Sequence, residues 1–135
     1  MNVNYLTEKV IASAIEVHRA LGPGLVESIY EECTCRELLT RAVPYQRQVV
    51  LPLEFKGVRL DPTFQVDLLV AGSLVVEIKS VESLLPVHEA QMLTCMKLGG
   101  WKVGLLINFN VPLLKMGIKR RVLGLAADQD ICAAR

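Results

Sequence analysis

Two runs rich in β-forming residues, Phe64 to Val70 and Leu74 to Lys79, are separated only by Ala71-Gly72-Ser73. That spacing makes an antiparallel hairpin, which argues against a purely parallel, doubly wound sheet. The strands read F-Q-V-D-L-L-V and L-V-V-E-I-K, apolar on both sides of their polar residues. Glu77 and Lys79 are two apart on one strand and therefore point to one face. With the turn centred on Gly72, Asp67 and Glu77 are equidistant from it and lie directly opposite each other on that same face. A loop shorter by one residue would send them to opposite faces, because pairing parity decides the face.

The elements around the hairpin follow from periodicity. Glu8 to Leu21 places Val10, Ile11, Ala14, Ile15 and His18 on a helical stripe, with Thr7 as the expected N-cap. Gly22-Pro23-Gly24 breaks this helix, and a second is expected from Leu25 to Arg41 with Leu25, Ile29, Cys33 and Leu38 inward. Gln46 to Phe55 is a strand whose Pro52 marks an edge position or a kink. Pro86 opens a third helix, Val87 to Leu98, closed by Gly99-Gly100. Trp101 to Phe109 is apolar enough for a central strand, and Leu113 to Leu125 fits either a helix or an edge strand. The order is that of an α/β domain with a mixed sheet over residues 1–125, followed by a tail at 126–135.

Composition narrows the function classes. The 135 residues fit one compact domain. A hydrophobic content of 52% is high for this size and points to apolar surface covered by a partner or by a second copy in a homodimer. The net charge of +1 excludes a protein that coats nucleic acid by charge alone, so any such contact must be local. Neither a signal-peptide pattern nor an apolar run long enough for a membrane span is visible. Cys33, Cys35, Cys95 and Cys132 show no metal-site spacing and read as reduced thiols in a cytoplasmic protein.

Two carboxylates side by side on a sheet repel, and one takes a raised pKa unless a cation sits between them. Asp and Glu oxygens suit Mg²⁺ or Mn²⁺. Lys79 on the same face could orient an attacking water or offset charge on a phosphate, as a metal-assisted phosphodiesterase needs. The same alternation also describes a solvated sheet face, and E-x-K is by itself a weak pattern. Lys119-Arg120-Arg121 with Lys115 is the best basic patch for a phosphate backbone, or equally a solvated edge. His18 and His88 read first as satisfied or exposed helix histidines.

Gly24-Leu25-Val26-Glu27-Ser28-Ile29-Tyr30 is a literal G-x-x-E-x-x-Y. With Val17-His18 before it, and with His88-Glu89-Ala90-Gln91 and Leu106-Ile107-Asn108-Phe109-Asn110 after it, the chain resembles the GxxExxY protein family of the PD-(D/E)XK nuclease superfamily. The resemblance spans roughly residues 5–125. It implies a restriction-endonuclease-like αβββαβ core, a mixed central sheet flanked by helices. It also implies a metal-dependent nuclease acting on nucleic acid, on DNA before RNA, with Mg²⁺ or Mn²⁺ as cofactor. In that frame Asp67 and Glu77-Ile78-Lys79 are the D…E-x-K signature, Glu27 is a helix-borne acid that joins Asp67 and Glu77 at the metal, and Gln91 is the glutamine of the following helix. Tyr30 and His88 are expected beside the site. Two positions depart from the family pattern: Cys95 stands where a tyrosine often follows Gln91, and Gln65 stands where a basic residue is common. Some related nucleases carry an iron–sulfur cluster, but the four cysteines here lack its spacing. The alternative is a nuclease fold kept as a binding or regulatory module with weak or no turnover.

Overall fold

A computed structural model describes residues 1–124, apart from the side chains of residues 61–63. The expected tail and Cys132 lie outside the described residues. The elements run α1 (Val3–Leu21), α2 (Glu27–Thr40), β1 (Tyr45–Phe55), β2 (Val58–Val70), β3 (Leu74–Lys79), α3 (Pro86–Gly99), β4 (Val103–Asn108) and β5 (Ile118–Val122), with a short 3₁₀ turn at Leu114–Gly117. The five strands form one sheet in the order β1-β2-β3-β4-β5. Neighbours are antiparallel except β3 and β4, which are parallel. The crossover between them is α3, as a parallel connection requires.

Helix α1 forms because Leu6, Val10, Ala14 and Val17 recur at helical spacing, and all four are buried. Its N-cap is Asn2, whose side chain accepts from the Asn4 N–H, rather than Thr7. Thr7 lies inside the helix and donates its hydroxyl to the Val3 carbonyl at 2.9 Å. Helix α2 is turned from the expected phase. Leu25 and Ile29 are exposed and Cys33 is half-buried, whereas Tyr30, Thr34, Cys35 and Leu38 face the core. Tyr30 sets this rotation: its ring stacks on Phe109 with centroids 4.4 Å apart, and its hydroxyl donates to the Gly22 carbonyl.

The strands meet their expectations closely. β1 is an edge strand, and its pairing with β2 shifts register between Leu51 and Leu53, at Pro52. β4 is buried along its whole length, and the ambiguous segment after it becomes the 3₁₀ turn followed by edge strand β5. Helices cover both faces. α1 and α2 pack with Leu68, Val70, Leu74, Val76, Ile78, Leu105 and Ile107. On the other face α3 lays Met92, Cys95 and Met96 over Leu69, Val75 and Leu106. Gly104 admits the helix so closely because a Cβ there would stand 2.7 Å from the Met96 sulfur. Among the described residues no helix is long and apolar enough to cross a membrane.

Candidate active site

The hairpin turns as its parity requires. β2 and β3 pair from Val70 with Leu74 to Leu68 with Val76, which brings Asp67 opposite Glu77 at the next position. There the ladder opens. Asp67 Oδ2 accepts the Ile78 N–H at 2.8 Å, so a side chain takes the place of a strand partner. Lys79 follows on the Glu77 face and is half-buried. From α3, His88 and Gln91 line the same cleft, a space of about 310 Å³, and Met92 and Cys95 also line it. The β1–β2 hairpin adds Gln48, Phe64 and Gln65.

Glu77 is 8% exposed, and its Oε1 is buried without a hydrogen-bond partner. Burial first, and the charge of Asp67 second, push its carboxyl up to about 9, while Lys79 works in the opposite direction. Left alone, the group therefore holds its proton at neutral pH. A hard divalent cation would replace the solvation that burial removed and would screen the two acids from each other. The donor set fits such an ion: two carboxylates, one with an oxygen that nothing in the protein satisfies. Cys95 does not add a ligand at neutral pH, because burial, then Glu77 and Asp67, raise its thiol to about 11.

Glu27 and Tyr30 lie outside the lining of this cleft, whereas His88 is part of it. Glu27 is exposed at the start of α2, where its Oε2 accepts the Ser80 N–H at 3.3 Å, one residue beyond Lys79. Among the described residues no three His, Cys, Asp or Glu side chains gather as a ligand group, and Glu27 is not part of the lining of the cleft that holds Asp67 and Glu77. Tyr30 is fully buried and ties down the Gly22–Leu25 turn, accepting the Leu25 N–H at 3.1 Å. His88 Nδ1 accepts the Leu85 N–H at 3.0 Å and so caps α3. His18 is a satisfied core histidine, with Nε2 2.8 Å from the Val111 carbonyl oxygen.

Strand alternation divides the basic run. Lys119 and Arg121 reach Glu89 of α3 at 3.2 and 2.6 Å, whereas Arg120 bonds Asn4 of α1 at 3.1 Å. Burial works against the charge of Glu89, but the two cations outweigh it and hold its carboxyl below the ordinary range. Lys115 is exposed on the 3₁₀ turn.

A family model described as the PD-(D/E)XK nuclease superfamily matches residues 4–121. The chain belongs to that superfamily. PD-(D/E)XK nucleases generally use divalent metals, which agrees with the donor set of Asp67 and Glu77. Comparison with curated proteins and with solved structures returns no match. Within this PD-(D/E)XK fold the sequence reading missed Gln48 and Phe64 as lining residues. A signal for Gln48 existed in the polar Gln46-Arg47-Gln48 that opens an otherwise apolar strand.

Proposed function

We propose that the protein is a cytoplasmic, Mg²⁺- or Mn²⁺-dependent nuclease of the GxxExxY type that hydrolyses phosphodiester bonds, in DNA before RNA. One observation carries this reading: Glu77 Oε1 is buried and unpartnered beside Asp67, in a cleft that Lys79 and Gln91 also line. Asp67 and Glu77 would hold the ion. When bound, a divalent cation supplies Lewis acidity toward a phosphate oxygen and toward water. Lys79 offsets charge on the phosphate and orients the attacking water from the same sheet face. Gln91 offers an amide to water or phosphate from α3. Glu27 supports the site from the end of β3, through the Ser80 backbone.

Within the basic run, Lys115 and Arg120 make no carboxylate pair among the described residues and are available for phosphate contact, and Lys119 and Arg121 serve once Glu89 releases them. The unbridged thiols of Cys33, Cys35 and Cys95 support a reducing compartment. A homodimer is supported by Val50, Phe55 and Val58, exposed on the outer hairpin, and equilibrium sedimentation tests it.

The deciding experiment is a cleavage screen on single-stranded, duplex and branched DNA and RNA with Mg²⁺, Mn²⁺ or Ca²⁺. Cleavage should need Mg²⁺ or Mn²⁺, stop in EDTA, and disappear in Asp67→Ala and Glu77→Ala. Cleavage that survives EDTA or either substitution ends the reading, and metal-dependent binding without cleavage favours the regulatory module.

A further inference from the structure

A row of three polar residues crosses the first three strands where the ladder opens. Arg47 pairs with Leu68 and Val49 with Val66, so Gln48 and Asp67 face each other although neither joins the ladder. Beyond Asp67 stands Glu77. Gln48 has a φ of 49°, a left-handed conformation that a non-glycine residue in a strand adopts only at a cost. Its Nε2 donates to Glu31 Oε1 at 2.9 Å and, over a longer 3.4 Å, to Asp67 Oδ1. Both neighbours are carboxylates that only accept, so both protons of the amide nitrogen are used and the orientation of the amide is determined. Glu31 is itself buried and gripped by Arg47, whose Nε lies 3.0 Å from its Oε2. Both Asp67 oxygens are thus engaged, Oδ2 by the β3 backbone and Oδ1 by a side chain of β1.

We propose that Gln48, anchored by Glu31, is a positioning residue that fixes the rotation of the Asp67 carboxylate toward the metal. The claim rests on Asp67 being a ligand. Residues that orient metal ligands carry about 10–100-fold in metal affinity. The left-handed backbone is retained because it delivers the amide to both acids at once.

Two substitutions separate the backbone from the amide. Gln48→Gly accepts the left-handed conformation without strain and lacks the amide. Gln48→Asn tolerates the same conformation but is one methylene too short. Calorimetric titration of each protein with Mn²⁺ should show binding about 10–100-fold weaker than wild type. Metal-free Gln48→Gly should nonetheless melt at or above the wild-type temperature. Glu31→Gln should weaken Mn²⁺ binding in the wild-type background and have no effect in Gln48→Gly. Wild-type affinity in both Gln48 variants overturns the proposal. Asp67→Asn is the control: if it binds Mn²⁺ as tightly as wild type, the metal reading itself is at fault. If it loses binding while the Gln48 variants keep theirs, only the positioning role falls.

Discussion

The two faces of the sheet are made by the same strands and are built to opposite ends. Under α1 and α2 the alternate residues Leu68, Val76, Ile78, Leu105 and Ile107 are all apolar and buried, and the layer is closed. Under α3 the intervening residues begin the same way, with Leu69, Val75 and Leu106, and then change to Asp67, Glu77 and Lys79. The helix above them contributes Met92 and Met96, flexible side chains that adapt to an irregular floor. A strand with period-two alternation can thus bury an apolar stripe on one side and hold two repelling acids on the other. The closed face carries the fold, so the open face can carry groups that oppose it.

The first way to break this contrast is a cavity in the closed face. Leu105→Ala should cost about 3–5 kcal/mol in denaturant melts and leave the metal affinity of the folded fraction unchanged. A loss under about 1 kcal/mol would show that the closed face is not where stability is concentrated.

The next effect comes from Glu77 and has a defined sign. Its carboxyl titrates at about 9 in the fold against an ordinary 4.5. Between those values the folded state holds a proton that the unfolded chain has released, so stability falls as pH rises through this window. In EDTA, wild type should lose up to about 4 kcal/mol between roughly pH 5.5 and 8.5, since each unit of pH weighs at most about 1.4 kcal/mol. Glu77→Gln should remove most of that slope and be the more stable protein at the alkaline end. Parallel slopes for the two proteins would mean that Glu77 is ionised without a metal.

Metal should reverse the penalty. Mn²⁺ at 100 times its dissociation constant should stabilise wild type by about 2.7 kcal/mol. The same addition should leave the melting temperature of Asp67→Asn unmoved, and a full shift in that variant would exclude Asp67 as a ligand. The smallest effect belongs to the periphery of the open face. Glu89 pairs with Lys119 and Arg121, all partly exposed, and Glu89→Ala should cost about 1 kcal/mol or less in a thermal melt.

Much of the open face was legible because its logic is local. The parity of Asp67 and Glu77 depends only on a short turn at Gly72 and on the period of a strand, and both are written in consecutive residues. The phase of α2 was not legible. Its apolar residues are spread around the helix, and what fixes the rotation is the stack of Tyr30 on Phe109, two residues far apart in the chain. Glu27 was grouped with the acids for its motif, but its position at the helix start directs it to the Ser80 backbone. Gln48 was hidden twice. Counting outward from Lys56-Gly57 places it opposite Gln65, and only the register shift at Pro52 brings it to Asp67. A positive φ on a glutamine leaves no mark in the sequence.

The strand order has a consequence for how the molecule is assembled. Because β1 to β3 neighbour one another in the sheet as they do in the chain, their two hairpins close over turns at Lys56-Gly57 and Ala71–Ser73, local closures of the kind that form fast. The turn at Ala71–Ser73 is the closure that brings Asp67 and Glu77 together. Hairpins of this kind form in about 1–10 μs, before a crossover helix and its strand can be docked. The cost of crowding two carboxylates therefore falls on an early, local step, while Gln91 and the α3 wall of the cleft arrive with the later one. The rate of refolding should carry the imprint of pH and of divalent ions, because the acids meet before the rest of their site exists.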